Sequence, residues 1–193
     1  MSDDMSFRTR LLDGLAASIG ERGYRASTVA DIVRHARTSK RTFYTEFTDK
    51  EQCFVELLRA DHEQLIAEIR AAVDPEALWD RQIEQAAAAY VAHIGARPAI
   101  TLSWIRELPA LGATVRTIQR SAMTGLTEML VELSGSPGFR RAEIAPVSRE
   151  LAVILLGGLR ELTALTVEDG APVDSILAPA VTAAAAVLGA GRR

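Results

Sequence analysis

Residues Thr28–Lys50 read TVADIVRHARTSKRTFYTEFTDK. Thr28, followed three residues later by Asp31, has the spacing of a capping box, and it opens a short helix whose inward stripe is Val29, Ile32, Val33 and Ala36. After Arg37-Thr38, Ser39 offers the next N-cap, and Phe43 and Phe47, four apart, anchor a second short helix inward. The pair concentrates positive charge: Arg34, Arg37, Lys40, Arg41 and Lys50 oppose only Asp31, Glu46 and Asp49. The chain's only two lysines, Lys40 and Lys50, both fall here.

That concentration stands out against the rest of the chain. The net charge is −3, whereas residues 22–50 hold seven Arg/Lys against three Asp/Glu, so the remainder carries −7. A localised phosphate-binding face on an acidic body has this signature, and a generally basic nucleic-acid coat protein does not. With 193 residues, 48% of them hydrophobic, the chain holds a real core and wholesale disorder is excluded. The single cysteine, Cys53, has no disulfide partner and no metal-type spacing around it, and it sits in an apolar helical pattern. The opening MSDDMSFRTR has acids and no long apolar run, so no secretory signal is read. The most apolar stretch, Leu151–Leu159, is too short to span a bilayer. A cytoplasmic protein is the expectation.

Apolar residues recur at three and four almost throughout, and strand-like alternation is missing, so the fold class is all-α. Leu11, Leu12, Leu15 and Ile19 mark a first helix that Gly23 ends. After the two short helices, Thr48-Asp-Lys-Glu51 has a capping-box spacing and opens a long fourth helix to about Val73. Asp74-Pro75 starts a fifth, to about Gly95, and Pro98 a sixth, interrupted at Pro109 or Gly112. A seventh runs from Ala113 to Leu133 and stops at a Ser134–Gly138 loop. An eighth covers Pro146–Glu168 and a ninth Val173–Leu188. The expected organisation is a three-helix helix-turn-helix domain over 1–49 and a larger helical ligand-binding and dimerisation domain over 50–193, about nine helices in all.

A recognition helix is held by one buried face while the other enters the major groove. Phe43 and Phe47 supply the buried face, leaving Thr38, Lys40, Arg41, Thr42, Tyr44 and Thr45 outward. Arg and Lys donate to guanine edges, and a threonine methyl packs on the thymine methyl. Tyr44 carries a hydroxyl on a stiff arm, suited to a phosphate oxygen. Thr28 and Lys50 sit at helix starts, where the dipole also favours phosphate.

Tyr24-x-x-Ser27-Thr28-Val29-x-x-Ile32, followed by Ser39-x-x-Thr42-Phe43-Tyr44-x-x-Phe47-x-x-Lys50-Glu51, resembles the N-terminal domain of TetR-family transcriptional regulators. The resemblance covers about residues 8–58; beyond them it extends only to helix number and order. It implies that Thr28, Ser39, Lys40, Arg41, Thr42, Tyr44 and Lys50 lie at or near DNA. It also implies a dimer whose C-terminal domain binds a small molecule. One departure falls at the turn, where the family commonly has glycine then valine and this chain has Arg37 and Thr38. Either Arg37 accepts a left-handed backbone or the turn differs, and Arg37 then adds a candidate phosphate contact.

In the larger part, Trp79, Tyr90, His93, Trp104, Met123 and Met129 recur at helical spacings and are candidates to line an apolar cavity, with plain core as the alternative for each. Arg106 and Glu107 either orient a ligand or pair on the surface. The last two helices, with Leu151, Ile154, Leu155, Leu159 and Leu162, Gly157-Gly158 and an alanine-rich ninth helix, look like a subunit interface. Burial within one subunit is the alternative.

Catalysis finds no support: there is no nucleophile elbow, no phosphate-cradling glycine loop and no His pair at metal spacing, and His35, His62 and His93 are scattered over three helices. No cofactor or metal is implied. The expected function is a dimeric regulator, a repressor, that binds a palindromic DNA operator and is released by a small, largely apolar effector. A helical small-molecule carrier without sequence-specific DNA binding is the rival.

Overall fold

The computed structural model describes residues 6–189, so the first five residues of the N-terminal reading lie outside it. Among the described residues every regular element is helical. The order is α1 (Phe7–Ala26), α2 (Val29–His35), α3 (Lys40–Glu46), α4 (Lys50–Ala72), α5 (Trp79–Ala96), α6 (Pro98–Arg106), α7 (Ala113–Ser134), α8 (Pro137–Arg141), α9 (Arg149–Glu168) and α10 (Leu177–Gly189). Short 3-10 turns at Leu108–Leu111 and Val173–Ile176 lead into α7 and α10. None of these helices is long and apolar enough to cross a membrane.

The caps follow the sequence closely. Thr28 and Asp31 form the reciprocal capping box, and Ser39 accepts from the Thr42 amide at 3.1 Å. Gly23 breaks α1 with φ +77°, beyond which one further turn runs to Ala26. Three boundaries differ from expectation. Asp49, not Thr48, caps α4, accepting from Gln52 N at 2.8 Å. Asp74-Pro75 makes a turn in which Asp74 Oδ1 accepts from Glu76 N, so α5 begins at Trp79. Ser148, two residues past Pro146, caps α9.

The short α8 is the element the loop-like Ser134-Gly-Ser-Pro-Gly138 run concealed. Pro137 takes its first helical position, and Phe139 is buried against Trp79 with ring centroids 6.1 Å apart. Gly138 is needed there because a Cβ would lie 2.0 Å from the Ala77 carbonyl oxygen.

Around α1–α3 the core is one cluster. Leu11, Leu15, Ile32, Phe43 and Phe54 are fully buried, and it continues across α4 to Ile100 of α6, Leu108 and Val115. Helix α4 runs on into the second half, where Leu65 and Ile69 pack with Met129. One rigid element thus belongs to both cores.

α1 and α2 approach closely at Gly14, whose added Cβ would sit 2.6 Å from the Ile32 carbonyl oxygen and 3.2 Å from the Ala36 Cβ. Backbone cannot move aside as a side-chain tip can. Gly14→Ala is expected to cost about 1–3 kcal/mol by overpacking, read as a lower urea midpoint with unchanged slope.

Candidate nucleic-acid interface and effector cavity

The Arg37-Thr38 turn is a left-handed helix stop built without glycine. Arg37 has φ +49°. The Thr38 amide donates to Val33 O at 3.0 Å and the Arg37 amide to Arg34 O at 3.3 Å, the two bonds of a Schellman motif. Arg10 clamps the turn from α1, its Nη2 donating to Ala36 O at 2.6 Å and Arg37 O at 2.9 Å. The departure from glycine is therefore absorbed as local strain, and the turn keeps its shape. Because a left-handed backbone costs a non-glycine residue about 1–2 kcal/mol, Arg37→Gly is expected to raise stability by about 1 kcal/mol in a thermal melt.

Helix α3 is held from beneath and from its C-terminal end. Phe43 and Phe47 are buried with ring centroids 5.6 Å apart. The Arg8 guanidinium lies 4.5 Å over the Phe47 ring, donates to Glu46 O at 2.8 Å and pairs with Glu56 of α4. The opposite face is open: Ser39, Lys40, Arg41, Tyr44 and Thr45 are exposed, Tyr44 by 59%. Among the described residues none of Arg37, Lys40 and Arg41 enters an ion pair, so their charges are uncommitted. Arg34, by contrast, lies within ion-pair distance of Glu21 and Asp31. The Asp31 carboxyl is held down to about 2, first by the Thr28 hydroxyl that donates to it at 2.6 Å. Thr28 is exposed at the start of α2, although this bond occupies its hydroxyl proton. Thr38 and Thr42 are half-buried, Thr42 within 3.0 Å of the Ser39 hydroxyl.

Lys50 is placed differently from its neighbours. Its Nζ donates to Tyr24 O at 3.0 Å and Ser27 O at 2.9 Å and lies 4.3 Å over the Tyr24 ring, so burial lowers its pKa. Two of its three N–H donors tie the end of α1 to the start of α4, leaving one for another partner.

The larger half encloses a cavity of about 500 Å³ between α4, α5, α6, α7, α9 and α10. Tyr90, His93, Trp104, Met123 and Met129 line it. Trp79 stands apart: in the first turn of α5 it packs with Phe139, beside Gly189 of α10. Tyr90 is bonded to Thr163 Oγ1 at 2.7 Å, and burial pushes its hydroxyl up to about 12. His93 bridges two carboxylates, with Nδ1 2.8 Å from Glu68 Oε2 and Nε2 3.4 Å from Asp61 Oδ2, and these raise its pKa against the effect of burial. Arg106 and Glu107 pair on the surface, Arg106 with Glu161 and Glu168 of α9 and Glu107 with Arg25 of α1.

Of the lining residues that the sequence reading did not propose, three have ionisable side chains: Asp61, His62 and Arg160. His62 stacks on Trp104 with centroids 5.4 Å apart and planes 6° from parallel, and burial lowers its pKa. A signal existed. Asp61 and His62 interrupt the apolar stripe of α4 between Leu58 and Leu65, at the positions where that stripe calls for core residues.

Comparison with known proteins agrees with this geometry. Residues 11–57 match the family described as bacterial regulatory proteins, tetR family. Among curated proteins none matches the chain. The fatty acid degradation regulator FadR from Bacillus halodurans shares the fold at TM-score 0.79 and 17% identity over 100% of both chains. The transcriptional regulator FadR from Bacillus subtilis, solved with stearoyl-CoA, does so at 0.74 and 18% over 91% of this chain and 98% of that one. A tetR family transcription regulator from Shewanella sp. PV-4 aligns at 0.68 and 21% over 96% and 98%. The family match covers the segment from α1 into α4, which holds the helix-turn-helix, and the solved structures share the fold of the chain as a whole.

Proposed function

We infer that this tetR-family protein is a ligand-responsive transcriptional repressor, binding a palindromic operator as a homodimer and released by a small, largely apolar molecule. The observation that carries the reading is the sharing of α4: in its first turns Phe54 joins the core that buries Phe43 and Glu56 pairs with the Arg8 that caps the end of α3, and its middle lines the cavity through Leu58, Asp61, His62 and Leu65. A guest that spreads the cavity walls would act on the rod that backs the α1–α3 core and, through α1, on the aim of α3. Helix α6 gives a second route, since Trp104 and Ile105 line the cavity while Glu107 pairs with Arg25 at 2.7 Å.

The exposed cations of α3 support DNA as the partner, and the apolar lining supports an apolar effector. The stearoyl-CoA complex of the Bacillus subtilis regulator is consistent with a fold that accepts such a guest. Dimerisation is supported by α9, where Leu151, Ile154 and Leu165 are exposed at 44%, 67% and 48% on one stripe that passes Gly158. Leu159 and Leu162 are packed against Ile176 and Ala180 and line the cavity, and Ile154, although exposed, lines it too, so the predicted interface set is not wholly on a free face. Joined heads would span half-sites about 34 Å apart or a multiple of that.

The test is operator affinity, measured on a duplex selected from a random pool, with and without a bound effector. A fall of about five-fold or more is expected, the usual scale of such coupling. An unchanged affinity for a ligand that demonstrably binds would remove the release mechanism.

A further inference from the structure

Three buried side-chain polar atoms among the described residues lack a hydrogen-bond partner: Asp61 Oδ1, His62 Nε2 and Arg160 Nε. All three residues line the cavity between α4, α5, α6, α7, α9 and α10. Unpaired buried polar groups are ordinarily rare and scattered, because each forfeits its hydration without replacement. Three such groups on the wall of one largely apolar cavity point to the polar end of a guest.

The chemistry of the three atoms restricts that end. Asp61 Oδ2 is already near His93 Nε2 at 3.4 Å, and Oδ1 is a further acceptor. Burial lowers the pKa of His62, and its Nε2 either donates or accepts according to the ring's tautomer. Arg160 donates Nη2 to Ile105 O at 3.1 Å, and its Nε–H remains to be accepted. The cavity thus presents one acceptor, one donor and a ring nitrogen that takes either role. A carboxylate answers Arg160 but brings no proton for Asp61 Oδ1. An alkylammonium answers Asp61 but strands Arg160 Nε and faces the guanidinium charge.

We propose that the effector is a largely apolar molecule ending in an uncharged group that both donates and accepts hydrogen bonds, of the primary amide or alcohol class. Asp61 receives its N–H or O–H, Arg160 donates to its oxygen, and His62 Nε2 adds a bond in the tautomer that the group calls for. This assignment rests on the cavity being the effector site.

The test uses the intact protein and four eight-carbon probes, octanamide, octan-1-ol, octylamine and octanoate, titrated calorimetrically at pH 7.5. Octanamide and octan-1-ol are expected to bind about ten-fold or more tighter than octanoate, since a site built to hydrogen-bond one group rejects the analogue that cannot answer it. Asp61→Asn should narrow that gap by admitting octanoate. His62→Phe, which keeps the ring on Trp104, should weaken octanamide and octan-1-ol by removing one hydrogen bond. Octanoate binding as tightly as octanamide overturns the proposal, as does binding of none of the probes, or a preference that survives both substitutions. A separate readout distinguishes the functional reading. If octanamide binds with the expected preference and operator affinity does not move, release by effector fails and the head-group assignment stands.

Discussion

Replacing Phe43 by alanine is expected to cost about 3–5 kcal/mol and to abolish specific DNA binding with it. Phe43 is fully buried, packs edge-on against Tyr44 at 5.3 Å and at a tilt against Phe47 at 5.6 Å, and sits in the cluster that includes Leu11, Leu15, Ile32 and Phe54. Helix α3 has only seven residues, too few to persist without tertiary packing. Loss of the ring removes the main reason for the helix to stay formed and aimed. Because total stabilities run to about 5–15 kcal/mol, a loss of this size leaves the N-terminal half marginal. Urea unfolding followed by circular dichroism gives the cost. Phe43→Leu, which keeps most of the volume, should recover a large part of both stability and binding. If Phe43→Ala melts as the parent does, the anchor role assigned to this residue is wrong.

Much of the fold could be read from local chemistry. The capping box at Thr28–Asp31, the cap at Ser39 and the paired phenylalanines are short-range signals, and they placed α2 and α3. The left-handed turn at Arg37 was one of two readings the sequence allowed, and it is the one adopted, at φ +49°. What local chemistry could not supply was anything set by partners distant in sequence. Gly14 matters through α2, which crosses it, and no local pattern around it marks that crossing. Asp74-Pro75 has the composition of a helix start and makes a turn because the chain must fold back to bring Gly138 N within 3.0 Å of Pro75 O. Lys50 has the composition of a phosphate contact, and its ammonium is shared with two carbonyls at the end of α1.

The cavity shows the same division. Tyr90, His93, Trp104, Met123 and Met129 line it, while Trp79 takes a place in the α8–α10 packing once α5 starts four residues later than Pro75. The residues with the most chemical information, Asp61 and His62, belong to no motif, and only the walls supplied by α5–α7 and α9 bring them into a site.

The second large effect concerns the open face of α3. Lys40 and Arg41 are exposed, outside any ion pair among the described residues, and carried on a helix whose buried face is fixed. If they read base edges, each contributes roughly 1–3 kcal/mol of discrimination on its own half-site, so removing both should weaken the selected duplex about 100-fold or more while scrambled duplex is affected far less. The fold depends little on either residue, so the Lys40→Ala/Arg41→Ala protein should melt within about 0.5 kcal/mol of the parent, as surface substitutions usually do. Fluorescence anisotropy with labelled selected and scrambled duplexes, each over a range of salt, measures this directly. The parent protein should bind both with affinity that falls as salt rises, favour the selected duplex strongly, and lose most of that preference in the double variant. Equal binding of selected and scrambled duplexes by the parent, or a double variant that keeps the parent's preference, would contradict DNA recognition through this face.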